Sequence, residues 1–380
     1  MSSWVAISYG ALDLRETPAA SAGEFVVTPV MPGEPVVLSG EVAELWRSLV
    51  AGPVYDQQLS EADRNLVREF GDFGIASPDP DHPDRLTHVD KPWLSSPIHE
   101  LVYALVARIA VAEDLPLVFI KGPVLHAQGL RDREHSGDVD VWVEPGREEF
   151  LARVLSGWGW KRFKVTSLTG TIVVHSVPMH SPAWACEIDV HYRFPGIGIA
   201  DLDAFRRVRA RAEPRSFGSV RAATPDLQGS AVIAALHSAR PSPGRPTSNG
   251  QLDSAAEFLS RAGEGTMDFA KELGALSALA PAARIAFPLA HWPECTDPVP
   301  ANWWWRLAKT PARAFWRAML LTPWSRRPGL IFRLIWPAGS DAAQPAGRRF
   351  GHANMARISR IVRGVRTESS ALRPRIDGKS

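Results

Sequence analysis

Cysteine is nearly absent: the 380-residue chain has two, Cys186 and Cys295. So few exclude a disulfide framework and a Cys-rich zinc module, and they fit a reducing compartment. No stretch reaches the roughly 18 uninterrupted apolar residues that a membrane-spanning helix needs. The first residues, MSSWVAISYG, lack the basic-then-apolar order of a secretory signal, so a soluble, cytoplasmic protein is expected. No internal repeat is evident. Lysine is scarce, 7 against 36 arginines, which makes any single arginine a weak pointer to function. What is present, 45% hydrophobic and 22% charged residues, excludes a disordered or fibrous chain, and the length suggests two or three domains.

The net charge of +2 hides an asymmetry. Residues 301–380 carry 16 Lys+Arg against 3 Asp+Glu, while the first 300 carry 27 against 38. A basic block of this kind points to a surface of opposite sign: nucleic acid, an anionic lipid face, or the acidic half of the same chain. Within it Trp303-Trp304-Trp305-Arg306, Trp316-Arg317, Trp324 to Arg327 and Phe332 to Trp336 interleave aromatics with arginines. Such a surface can stack nucleic acid or lie at an anionic membrane, and it can equally pack helices onto the rest of the molecule. Residues 358–366, ISRIVRGVR, have the pattern of a short basic amphipathic helix.

Along the first 95 residues, β-like runs (Trp4 to Ile7, Phe25 to Pro29, Pro35 to Leu38) surround a helical pattern with Val42, Leu45, Trp46 and Leu49 behind a Ser39 cap. A second helix is expected from Ser60 to Phe70, then a short strand at Gly74 to Ala76. A linker begins at Pro78 to Pro83. The pattern VVLSGEVAELWRSLVAG followed by REFGDFGIA resembles PqqD-like peptide-chaperone domains of winged-helix size. That resemblance implies a module, residues 1–90, that adds an extended peptide to a strand edge. The alternative is a small packing domain without a ligand.

From residue 96 the pattern is helix (97–111), strand (117–120), helix after Gly122, strand after Gly137, helix (148–157) and strands at 161–165, 171–177 and 184–194. Beyond about 225 it is mostly helical, with Leu227 to Ala239 and Leu252 to Arg261. The two are separated by a Pro/Gly/Ser-rich loop, 237–247, read as too polar to pack and either a lid or a linker.

The chemistry concentrates at Ser136-Gly137-Asp138-Val139-Asp140-Val141-Trp142-Val143. Strand alternation puts Asp138 and Asp140 on one face and the three valines on the other. In Cys186 to Arg193 the same alternation aligns Glu187, Asp189, His191 and Arg193. Two carboxylates held side by side call for a cation, and a hard divalent ion such as Mg²⁺ suits oxygen ligands. If the two strands are neighbours, three aspartates converge, and a triad of this sort can hold two metal ions about 4 Å apart. Gly137 and the helix after Gly122 offer N–H groups to phosphate. His126, His135, His175 and His180 show no ligand spacing, so no zinc site is expected.

Lys121-Gly122, Arg133, GDVDVWV (137–143), the GW pairs at 157–160 and EIDVHYRF (187–194), with weaker echoes at His237 and FRLIWP (332–337), are similar to the uncharacterised bacterial nucleotidyltransferase family of the DNA polymerase beta superfamily. Two departures are visible: Pro123 stands where Ser or Gly is frequent, and the Arg133 to Asp138 spacing is one residue long. The resemblance implies an α+β fold with a polymerase-beta-type core and mixed sheet at 96–225. A winged-helix-like domain precedes it, and a basic helical region, 226–380, follows. It implies metal binding and catalysis by Asp138, Asp140 and Asp189, and phosphate or nucleotide contacts from Lys121, Gly122, Ser136, Gly137 and Arg193. The expected reaction uses Mg²⁺, with two ions, and an NTP, ATP foremost, to move a nucleoside monophosphate onto a hydroxyl of a peptide or protein acceptor, as in ribosomal-peptide maturation. The alternatives are a tRNA or small-molecule acceptor, or a non-catalytic peptide-binding scaffold. Base preference, acceptor and oligomeric state are left open.

Overall fold

The structure, a computed structural model, describes residues 3–134, 137–163, 171–289 and 298–328. Its first third contains β1 (Ser3–Ala6), β2 (Gly10–Asp13), β3 (Phe25–Thr28), β4 (Val36–Leu38), α1 (Gly40–Ala51), β5 (Val54–Tyr55), α2 (Glu61–Asp72) and β6 (Ala76–Ser77). β1 pairs antiparallel with β5 and β6, and β2, β3 and β4 form a second antiparallel sheet. The helical stripe read in the sequence is the buried face of α1, where the Trp46 indole donates to the Ile75 carbonyl at 3.0 Å. Ser60 caps α2 as expected, accepting from the Asp63 amide at 3.1 Å. Ser39 occupies the cap position of α1 but makes no side-chain capping bond; the Glu24 carboxylate takes the Gly40 amide instead, at 2.8 Å.

The middle third follows the expected order: α3 (Pro97–Ala112), β7 (Leu117–Phe119), α4 (Pro123–Ala127), β8 (Asp138–Val143), α5 (Glu148–Gly157), β9 (Lys161–Arg162), β10 (Ser176–Ser181) and β11 (Cys186–His191). The strands form one mixed sheet in the order β7-β8-β11-β10-β9, in which β8 and β11 are parallel and the other pairs antiparallel. The strand expected at 171–177 begins only at Ser176. Thr171 closes a turn instead, its carbonyl accepting from the Val174 amide at 3.3 Å and its hydroxyl from the Val173 amide at 3.2 Å. Next come α6 (Asp201–Ala210) and a hairpin of β12 (Ala212–Phe217) and β13 (Val220–Pro225). Apolar alternation did not announce the hairpin, because β12 reads AEPRSF and is largely solvent-facing.

Layering follows from the alternation in β8 and β11. Val139, Val141, Val143, Ile188 and Val190 enter one core with α3 and the Leu151–Leu155 face of α5. On the opposite face Trp142 packs with Phe194 and Phe205 against the helices α7 (Leu227–Ala239), α8 (Asn249–Ala262), α9 (Gly265–Glu272) and α10 (Leu276–Ala286). α3 is apolar all round because the N-terminal strands cover its other side: Leu12, Leu14 and Val26 join the same core. The result is a mixed α+β molecule, and no helix among the described residues is long and apolar enough to cross a membrane.

Two helices, α11 (Ala301–Trp304) and α12 (Pro311–Leu321), and a 3-10 turn at Trp324–Arg326 close the described part of the chain. Here the tryptophans divide: Trp303 and Trp305 are buried, whereas Trp316 and Trp324 are exposed. The loop at 237–247, expected to be too polar to pack, is held down. Its Pro241 is buried, the Gly244 amide donates to the Arg306 carbonyl at 3.3 Å, and Thr247 bonds the Ala239 carbonyl at 3.0 Å. Ser136, the FRLIWP segment at 332–337 and the helix expected at 358–366 lie outside the described residues.

Candidate active site

Parallel pairing of β8 with β11 sets the register Glu187↔Asp138 and Asp189↔Asp140. With side chains alternating across a strand, Asp138, Asp140, Glu187, Asp189 and His191 share the sheet face opposite the valine core. Asp140 is 3% exposed and His191 is 2% exposed. The His191 Nε2 lies 2.8 Å from Asp140 Oδ1 and 3.2 Å from Asp189 Oδ2. Lys121, at the end of β7, places its Nζ 2.6 Å from the same Asp140 oxygen. One imidazole and one ammonium thus converge on the two paired carboxylates.

The charges are mutually set. Burial works against an ionised Asp140, but Lys121 and His191 outweigh it and hold the carboxyl below its ordinary value. Burial likewise opposes ionised Asp189, and His191 and the Ser176 hydroxyl reverse the balance. Burial alone would strip the proton from His191; the two aspartates retain it and raise its pKa. Asp138 is the exception, pushed up by burial and then by the Asp140 charge, with Lys121 opposing.

Backbone geometry brings the loop after β7 to this face. Lys121 and Gly122 both adopt positive φ, +62° and +61°, and Gly122 has ψ of −148°, a region open essentially to glycine. Arg131 fixes that loop through its guanidinium, which bonds the carbonyls of Gly122 at 2.8 Å, Glu134 at 2.9 Å and Arg133 at 2.8 Å. The arginine picked out by the sequence motif, Arg133, contributes a carbonyl here, while the neighbouring Arg131 does the tethering. Around Gly137 there is room, since a Cβ built there meets nothing within 4 Å.

Arg193 departs from its expected place. It lies beyond the end of β11, with its guanidinium over the Tyr192 ring, and its Nε stands 3.4 Å from Asp201 Oδ2, so that Asp201 and not Glu187 is its ion-pair partner among the described residues. His175 is the converse case. It lacks any linear ligand spacing, yet its ring stands 5.6 Å from that of His191, and its Nε2 accepts from Arg240 at 2.9 Å. Burial, with the neighbouring His191 and Arg240 charges, pushes its pKa down to about 3, so it is a neutral imidazole. Nothing in the sequence near His175 or Arg240 signals this meeting of residues 65 apart.

The donor set fits a divalent cation. One ligand atom each from Asp140, Asp189 and His191 lie within 4.8 Å of one another. Asp189 Oδ1 and His191 Nδ1 are buried without a hydrogen-bond partner among the described residues. An orphaned carboxylate oxygen beside a second carboxylate is the arrangement that an oxygen-seeking ion relieves.

No protein-family model matches the chain, and no curated protein matches it either. Solved structures similar to it include the antibiotic-resistance factor ANT(2'')-Ia, at 12% identity and a TM-score of 0.31, covering 50% of this chain and 91% of that one. An antigenic nucleotidyltransferase-like protein from Paracoccidioides brasiliensis matches at 10% identity and a TM-score of 0.30, over 50% of this chain and 94% of its own. Overlap this loose leaves the chemistry to the site's own geometry.

Proposed function

We propose that the chain is a metal-dependent nucleotidyltransferase that moves a nucleoside monophosphate from an NTP to an acceptor hydroxyl and releases pyrophosphate. The observation that carries this reading is the in-register pairing of Asp140 with Asp189 on parallel strands, with Asp138 on the same face and a lysine-glycine turn beside them. Asp138, Asp140 and Asp189 would hold the ions, Mg²⁺ being the natural choice for three carboxylates. Bound divalent cations supply positive charge to the triphosphate and acidify the attacking hydroxyl.

The chain's own groups do the rest. Asp189 stays ionised beside His191, a carboxylate that would help to draw the proton from the acceptor hydroxyl. His191 locks both carboxylates in orientation through Nε2. Lys121, whose ammonium lies 2.6 Å from Asp140 at the edge of the site, would be placed to meet phosphate oxygens if a cation took over the Asp140 charge. The Gly122 turn and the open space at Gly137 let backbone N–H groups approach them.

ATP is the proposed donor. The acceptor is proposed to be a peptide or small protein, as in ribosomal-peptide maturation, presented along the edge strand β4, whose Val37 is exposed. A second reading, a non-catalytic scaffold, draws on the Lys121 ammonium and the His191 imidazole, which both lie against the Asp140 carboxylate as structural partners. Incubation of the full chain with α-labelled NTPs, Mg²⁺ and cell extract separates them. Asp138→Ala and Asp189→Asn are expected to lower labelling by at least about 100-fold. Equal labelling by wild type and both variants ends the transferase proposal.

A further inference from the structure

Across His175 from the carboxylates stand two arginines for which the described residues supply no ion-pair partner. Arg306 is 8% exposed, its guanidinium stacks 4.5 Å over the Trp305 ring, and its Nη1 reaches only the Pro241 carbonyl, at 3.4 Å, among the described residues. Its Nε has no hydrogen-bond partner among them. Arg240, at the end of α7, is largely buried and spends one N–H on neutral His175. Neither guanidinium forms an ion pair with a carboxylate among the described residues.

The two also repel each other. Burial and then the Arg240 charge bring Arg306 down to about 10. For Arg240, burial lowers the pKa, and the charges of Asp189 and Asp140 offset only part of that. Buried cations without a counterion are costly, and arginine's planar fork matches phosphate oxygens. The arginine pair is also held in place. Gly244, at φ +72°, lies so close to the Thr310–Pro311 backbone that a Cβ would sit 2.1 Å from the Pro311 nitrogen, and its amide is bonded to Arg306.

We propose that Arg240 and Arg306, positioned through His175 and the 241–247 loop, form a subsite for an oligophosphate anion next to the aspartate pair. This deepens the transferase reading and rests on it for the ligand's role, since a triphosphate tail or released pyrophosphate has the required charge. A phosphate carried by the acceptor has the same chemistry.

The test is calorimetric titration of the full chain with inorganic tripolyphosphate, ATP and AMP, without divalent metal and at fixed ionic strength. Tripolyphosphate is expected to bind wild type and to bind Arg240→Gln and Arg306→Gln at least tenfold more weakly. Arg240→Lys should recover part of the loss, and Arg326→Gln, an exposed arginine, should match wild type. Circular dichroism reports whether each variant is folded, and Arg240→Gln decides the matter if Arg306→Gln is not. ATP weakening in parallel while AMP does not change assigns the subsite to the nucleotide tail; ATP unchanged with tripolyphosphate weakened assigns it to a phosphate-bearing acceptor. No binding to wild type, or equal binding to wild type and Arg240→Gln, overturns the proposal. Asp189→Asn separates the two readings: it should bind tripolyphosphate at least as tightly as wild type, having lost a negative neighbour, whatever the labelling assay says about catalysis.

Discussion

Glu100 shows how one side chain can join parts of the chain far apart in sequence. From the first turn of α3 its Oε2 accepts the amides of Trp93 at 3.0 Å and Leu94 at 3.1 Å, and its Oε1 accepts the Gly218 amide at the β12–β13 turn, at 3.0 Å. Burial pushes its pKa to about 7 against those three bonds. The folded state therefore binds this proton more readily than the unfolded chain between the ordinary carboxylate range and pH 7. Stability from this group falls as pH rises through that window, by up to about 3 kcal/mol, and is level above it. Urea unfolding at pH 5 and pH 7.5 should show that slope in wild type and lose it in Glu100→Gln; identical slopes would mean the carboxyl titrates normally. At this scale the sequence was legible where one strand suffices. The period-two pattern alone put Asp138 and Asp140 together on one face of their strand, and Glu187, Asp189 and His191 together on one face of theirs. It failed for Arg193, because alternation stops with the strand at His191 and the next turn sends the guanidinium to Asp201.

Between elements, the decisive fact is the parallel neighbourhood of β8 and β11. Nothing local specifies it, because α5, β9 and β10 intervene and β11 could pair elsewhere. A slip of one residue would turn Asp189 into the valine core and Ile188 onto the charged face. The burial of Ile188 and Val190 thus fixes the register that aligns the aspartates. The second wall of the site was illegible for a related reason: His175, Arg240 and Arg306 come from a turn, a helix end and a short helical segment, where no period applies. Their assembly depends on the 241–247 loop lying against Thr310 and Pro311. Gly244→Ala meets both the positive φ and the backbone contact there, at a cost of about 1–3 kcal/mol. A lower melting temperature together with weaker tripolyphosphate binding is expected; wild-type values of both would show that the loop does not hold Arg240 in place.

For the whole molecule, the question is whether the first 90 residues are a separate module or part of one body with the rest. The sequence suggested a module, because Pro78 to Pro83 interrupts the pattern and the strands before it are short. Packing ties the segment in. Leu12, Leu14 and Val26 are buried in the same core as α3, and β2 lies so near α3 that a Cβ on Gly10 would stand 2.6 Å from the Ala104 Cβ. The Asp90 amide donates to the Ser219 hydroxyl at 2.9 Å, and the Ala11 amide bonds the Gly218 carbonyl at 3.0 Å. Exposing three such aliphatic side chains forfeits roughly 5–9 kcal/mol, against a total stability of about 5–15 kcal/mol for a domain. It would also uncover the apolar side of α3, a helix with hardly a polar face. A chain beginning at residue 91 is therefore expected to unfold or aggregate, which circular dichroism and size-exclusion chromatography would detect. If it folds and labels an acceptor as well as the full chain, residues 1–90 are dispensable to both fold and reaction, and the proposed peptide presentation at β4 falls with them.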